Sequence, residues 1–265
     1  VSSAVEARGL HGGDELVLCS GASFGVVALR VAFGVGAGGE GPIGGLTSFA
    51  IDLLDRGTLR RGRAELNEAL DQLGAAFDVS VTRTSTSVDL RVLEDDLGPA
   101  LDLLLEILCE PLDAADEVRR LRHEMAEDVE NELEEAGGVV SRLLSRAMWP
   151  HEEWGRPVDG IRADRAKIRA AGIARRRREV FGHALVAGIA ADEPTRHVER
   201  VCAFIDALRA AYPAHGRPAP HGGEPEWGRT WAQGHSGEQG AVIVAASGPA
   251  VSDPSWLACV IHNAA

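Results

Sequence analysis

The chain has 265 residues, with 27 Lys and Arg against 40 Asp and Glu, a formal net charge of −13. Such an excess of acid argues against nucleic acid or an anionic membrane as partner, because both repel a negative surface. Hydrophobic residues make up 45% and charged residues 25% of the chain. That is the balance of a globular chain with a sizeable core, and no apolar run approaches the roughly 18 residues needed to cross a bilayer.

No basic-then-apolar leader is read at the N-terminus. Cys19, Cys109, Cys202 and Cys259 are widely spaced and form no C-x-x-C, so neither a zinc ribbon nor a redox pair is indicated. Buried thiols in a reducing, cytoplasmic setting are expected.

Residues 1–25 hold one short apolar run, Glu15 to Cys19, which predicts a short strand or hairpin arm. Val26 to Phe33 is β-branched and apolar, a central strand. The Gly-rich stretch from Gly34 to Gly45 is a loop. It lacks the Gly-Lys-Ser/Thr sequel of a phosphate cradle. A helix is expected from Leu46 to Arg56, and another from Ala64 to Leu73 that ends on Gly74. Ala76 to Val81 and Ser87 to Leu93 alternate apolar with polar, as in an antiparallel pair with one wet face.

Asp95 and Asp96 open a helix with Leu97, Leu101, Leu104, Leu105 and Leu108 inward. A long charged helix begins near Asp113. Within it His123 and Glu124 are adjacent, so they point about 100° apart and do not form a ligand pair. Further helices are expected at Val139 to Met148 and Ala166 to Val180. The second carries Arg175 to Arg178, four arginines that wrap round the helix and suit pairing with carboxylates. Ala184 to Ala190 reads as a buried strand and Val198 to Tyr212 as the closing helix. Pro213 to Gln233, rich in Pro, Gly and His, reads as a linker. Beyond it a strand is expected at Gln239 to Ala246 and a helix at Pro254 to Asn263.

The stretch Gly45-Leu46-Thr47-Ser48-Phe49-Ala50-Ile51-Asp52, closed by Arg56-Gly57-Thr58, carries the clearest functional signal. Its frame resembles the zinc-binding helix of the pitrilysin (insulinase-like) metallopeptidases, the inverzincins, which bear H-x-x-E-H. The segment Trp149 to Gly160 is similar to the Y-P-x-H-P-Y-G-R-P-x-x-G of that family. Gly74 to Val79 is similar to its G-G-x-x-N-A, with Asp78 in place of Asn.

In H-x-x-E-H two imidazoles on one helical face hold Zn²⁺ and the Glu takes a proton from its water. Here Ser48 and Asp52 stand at the two His positions and Ile51 at the Glu. A third family ligand, a Glu, lies far downstream, where Asp128 falls, 76 positions after Asp52. None of the four functional residues is kept.

The resemblance implies an α+β fold in which an antiparallel-rich mixed sheet is covered by helices on one side. Residues 1–212 would form that domain, 213–235 the linker, and 236–265 the start of a second homologous domain. It further implies a non-catalytic subunit, without its own cofactor, that pairs with a homologous zinc-bearing subunit around a peptide substrate. The strand Ala76, Phe77, Asp78, Val79, Ser80, Val81 would be the peptide-binding edge. A scaffold relative without substrate, and an enzyme with a displaced metal site built on Asp52, Asp128 and a nearby His, are the alternatives.

Overall fold

Alternating hydrophobicity makes the strands, and a single sheet collects them. The computed structural model describes residues 4–21, 24–151, 153–215, 225–228, 230–234 and 240–248. Strands β1 (Ala4–Gly9), β2 (Glu15–Ser20), β3 (Val26–Phe33), β4 (Ala76–Val81), β5 (Thr86–Leu93) and β6 (Leu185–Ala191) line up as β1-β2-β6-β3-β5-β4. Only the β2–β6 pair is parallel; the other four pairs are antiparallel. Buried Asp14 fastens that parallel junction. Its carboxylate accepts from the Leu185 amide at 2.9 Å and from Arg209 Nε and Nη2 at 2.6 and 2.7 Å.

One face of the sheet is apolar. Leu16, Leu18, Val27, Leu29, Val31, Phe33, Val88, Leu90, Leu185 and Ile189 all point into it. The helices among the described residues are α1 (Leu46–Asp52), α2 (Arg63–Gln72), α3 (Leu97–Cys109), α4 (Ala115–Glu134), α5 (Ala136–Met148), α6 (Arg162–Arg165), α7 (Ala170–Phe181) and α8 (Val198–Ala211). Of these α1, α2, α3, α7 and α8 cover that face, while α4 packs on α1 and α5 on α4. Leu101, Leu104 and Leu108 of α3 and Val201, Phe204 and Leu208 of α8 complete the core, and the two helices pack together. The opposite face is half-buried or exposed. Small side chains floor it (Ala28, Ala32, Gly188 and Ala190), and Arg30 and Arg91 stand up from it. The expected α+β layout is the one observed.

Three boundaries differ from the sequence reading. The first predicted helix stops at Asp52 and gives way to a 3₁₀ turn, Leu54–Arg56, with Gly57 at φ 130° beyond it. The helix expected from Ala166 starts at Ala170 and is preceded by the short α6. Residues 240–248 carry no strand, since none of the described strands lies beside them to share a ladder. The helix predicted at 254–263 and most of the predicted linker lie outside the described residues. Cys19, Cys109 and Cys202 are free thiols and half-buried rather than fully buried. No helix among the described residues is long and apolar enough to cross a membrane.

Candidate functional site: a degenerate metal-site helix beside a sheet edge

Helix α1 is buried on nearly every side: its apolar residues pack inward, and buried Thr47 and Ser48 are hydrogen-bonded. Ile51 and Leu54 join the core beneath the sheet. Leu46, Phe49, Ala50 and Leu53 pack instead on Leu121 and Met125 of α4 and Ile173 of α7.

Its N-terminus is held by two devices. The Glu40 carboxylate accepts from the amides of Gly45 and Thr47 and from Thr47 Oγ1, the last two at 2.7 Å. Arg176 of α7, 4% exposed, donates to Thr47 Oγ1 at 2.9 Å and to the carbonyls of Gly36 and Gly39 at 2.8 and 3.2 Å. Burial raises the Glu40 pKa, and the Thr47 and Gly45 donors and Arg176 oppose the rise without cancelling it.

The second device is a backbone contact. Gly45 sits at φ 81° and Gly160 at φ 72°. A Cβ on Gly45 would lie 2.4 Å from the Asp159 carbonyl oxygen, and one on Gly160 2.3 Å from that of Gly44. The two segments that carry the family resemblance therefore meet at glycines. Arg156 Nη1, donating to the Gly41 carbonyl at 2.6 Å, adds a tie between them.

Against this frame the four metal-motif positions are placed as follows. Ser48, 6% exposed, donates its hydroxyl to the Val158 carbonyl at 3.0 Å. Ile51, wholly buried, belongs to the core. Asp52 is half-buried and accepts no hydrogen bond from the described residues. Its pKa is pushed up to about 7, first by burial and then by Asp55, with Arg56 opposing and Asp128 and Asp159 adding to the rise. Asp128, exposed on α4, is thus close enough to feel Asp52. Helices α1 and α4 are in contact, but their side chains do not converge as ligands.

Zinc prefers nitrogen and sulfur donors in a tetrahedron. A hydroxyl already committed to a carbonyl, an alkyl group and two separated carboxylates do not fit it. Among the described residues no group of three or more His, Cys, Asp or Glu is placed to hold a metal ion. The neighbouring His needed by the displaced-site alternative is not assembled. His123 faces Glu127 at 3.5 Å, while Glu124 turns the other way, to Arg56 at 2.7 Å. No catalytic step through a metal is derived from these residues.

Helix α1 packs against β4, so the degenerate site and the predicted edge strand adjoin. β4 is the outermost strand. Thr82 donates to the Ser85 carbonyl at 2.8 Å, which makes 82/85 a hydrogen-bonded pair. Such pairs alternate along an antiparallel ladder. Ala76, Asp78 and Ser80 therefore bond to β5, and Phe77, Val79 and Val81 turn their N–H and C=O groups outward. Those outward groups take no hydrogen bond from any other described residue. The side chains divide the other way. Phe77, Val79 and Val81 lean on the core, and Ala76, Asp78 and Ser80 are exposed.

Several contributors were not legible in the sequence: the Arg176 clamp, Asp159 and the meeting of Gly45 with Gly160. The Arg175–Arg178 run does pair with carboxylates, Arg175 and Arg176 with Glu179 and Arg177 with Asp113. That Arg176 and Arg177 are buried, the first of them against Thr47 of α1, was not readable from a run of four.

The fold and the degenerate helix together define a metallopeptidase-type domain. A sequence profile described as Insulinase (Peptidase family M16) matches residues 20–160, a span that encloses both segments that carry the resemblance. The chain belongs to this family. It is 27% identical over 238 residues to an uncharacterised zinc protease of Streptomyces coelicolor, covering 87% of this chain and 52% of that protein. It is 24% identical over 149 residues to an uncharacterised zinc protease of Bacillus subtilis, covering 56% of this chain and 36% of that one. At best the chain spans about half the length of these relatives.

Among solved structures it resembles a peptidase M16 inactive domain from Pseudomonas fluorescens, with a TM-score of 0.74 at 20% identity over 83% of this chain and 54% of that one. A protease from Helicobacter pylori gives 0.64 at 14% identity over 83% and 52%.

Proposed function

We propose that this chain is the non-catalytic component of a two-component zinc peptidase, which binds an extended peptide for cleavage by a homologous zinc-bearing partner. One observation carries the reading. The frame that positions a metal-site helix is intact, while Ser48, Ile51, Asp52 and Asp128 supply neither zinc ligands nor a base for its water. The solved Pseudomonas domain of similar fold is itself described as inactive, which supports the same reading.

The chain's own contribution is positional. Outward N–H and C=O groups at Phe77, Val79 and Val81 can add a peptide as a further strand, giving main-chain hydrogen bonds without a demand on sequence. Helix α1, packed on β4, walls that strand with Ser48 and Asp52 in place of ligands. The zinc and its chemistry belong to the partner.

The test mixes this chain with the homologue from the same genome that retains H-x-x-E-H. Peptide hydrolysis is expected from the mixture and from neither protein alone. N-methylation of alternate peptide residues, in the register that faces β4, should abolish binding to this chain. Methylation in the other register should leave it. Full activity of the homologue without this chain, or equal tolerance of both methylation registers, overturns the reading.

A further inference from the structure

We infer that Asp78 makes the β4 edge selective for a peptide with a basic residue at the position that comes to lie directly opposite it. The inference rests on strand addition at β4 and adds the side-chain chemistry that this edge reads.

Asp78 is hydrogen-bonded to β5 through its backbone, so across the outer edge it forms a non-hydrogen-bonded pair with the incoming strand. In such pairs the side chains approach most closely, with Cβ atoms about 4.5–5.5 Å apart. The Asp78 side chain and its opposite number both stand on the open face of the sheet.

The charges already on that face form a row. Arg30 Nε and Nη2 donate to the two Asp89 oxygens at 2.6 and 3.0 Å, so Asp89 is already neutralised. Asp78, next outward from Asp89, has no ion pair and no side-chain hydrogen bond among the described residues. It is the outermost charge in the row, and a new strand would cover it on its remaining side. A Lys or Arg opposite completes the pair, and a Glu or Asp meets like charge. Arg30 acts on Asp78 only at longer range, across Asp89. Along the same face, Ser80 beside Ser87 offers only hydroxyls, and Ala76 offers no charge of its own, its partner Arg91 standing one strand further in. One position of the peptide is therefore charge-selective and its neighbours two residues away on that face are not. An open trough of about 570 Å³, floored by Ala28, Gly188 and Ala190 and rimmed by Asp78, leaves space for a long aliphatic stem.

The experiment measures binding of fluorescein-labelled, end-blocked peptides of alternating Thr and Val, with one central Thr replaced by Lys, Gln or Glu. Because the flanks are uniform, each peptide can slide to bring its single variable residue opposite Asp78 or away from it. The Lys peptide should bind more tightly than the Gln peptide by a factor between about 1.4 and 5, and the Glu peptide, which slides its charge away, no more tightly than the Gln peptide. Asp78→Asn should erase the difference and Asp78→Lys should invert it. The Gln peptide should bind equally to all three proteins, and the discrimination should shrink as salt is raised. Peptides that bind without discrimination, or with a preference indifferent to residue 78, overturn the inference while leaving strand addition in place. No binding of any peptide overturns strand addition and the inference with it.

Discussion

The first turn of α1 and its second half have met opposite fates. At Gly45–Thr47 the helix start is held on all sides, by Glu40, Arg176 and the glycine pair with Gly160. One turn later, at Ser48–Asp52, the side chains have been redirected to a carbonyl, to the core and to a lone carboxylate. The first region is constrained by packing and by buried backbone donors, which fold the domain whether or not a metal binds. The second is constrained by chemistry alone. With no ligand chemistry at these positions, the physical demands left are burial and hydrogen bonding; Ser48 and Ile51 meet them, while Asp52 stays half-buried without a hydrogen bond among the described residues.

If that contrast holds, restoring a chemical residue should cost more than damaging the frame. Ile51→Glu puts a carboxylate into the core beneath the sheet and removes a fully buried side chain. It should destabilise by about 4–5 kcal/mol in urea unfolding. A cost below about 1 kcal/mol would show that this helical face is still free to host a base, since a surface substitution costs no more than that.

Gly45→Ala should come next. Its Cβ meets the Asp159 carbonyl oxygen at 2.4 Å in a left-handed backbone conformation, at a cost of about 3 kcal/mol. Gly44→Ala, whose Cβ would come no closer than 3.3 Å to the Asp164 carboxylate, should cost much less. Equal losses at the two glycines would remove the argument that the Gly45–Gly160 contact is the special one.

The smallest effect is a gain. Asp52 has a folded pKa of about 7 against 3.8 for the unperturbed group, so the folded state holds its proton more tightly than the unfolded one. Its contribution to stability is full below about pH 4 and is lost as pH rises to about 7. Asp52→Asn should therefore stabilise by about 1 kcal/mol at pH 8, below the roughly 4 kcal/mol of the full shift because solvent screens the half-buried carboxylate, and have little effect at pH 4, read by thermal unfolding at both. A stabilisation larger at pH 4 than at pH 8 would reverse the sign and remove the case for a carboxylate held without a counter-charge of its own.

Much of the fold was readable because local pattern and tertiary role agree. The strand alternation of Ala76–Val81 and Thr86–Leu93, the leucine face of α3 and Gly74 at φ 56° after α2 each follow from short-range rules. The break after Asp52 was not readable, since Leu53 and Leu54 continue an apolar helical pattern. What ends the helix is the turn into Gly57, whose backbone is bridged to Gly62. Within the site, the loss of ligands could be seen in the identities of Ser48, Ile51, Asp52 and Asp128. The approach of Asp159 and the descent of Arg176 onto Thr47 join residues more than a hundred positions apart, and no spacing rule reaches that far.

The central claim is that this chain has kept the frame and given up the metal. Its most direct test is metal analysis of the purified chain after equilibration with zinc and exhaustive dialysis, paired with a peptide-hydrolysis assay of the same sample. The account predicts no stoichiometric zinc and no hydrolysis until the zinc-bearing homologue is added. One tightly held Zn²⁺ per chain, accompanied by cleavage in the absence of any partner, would contradict it.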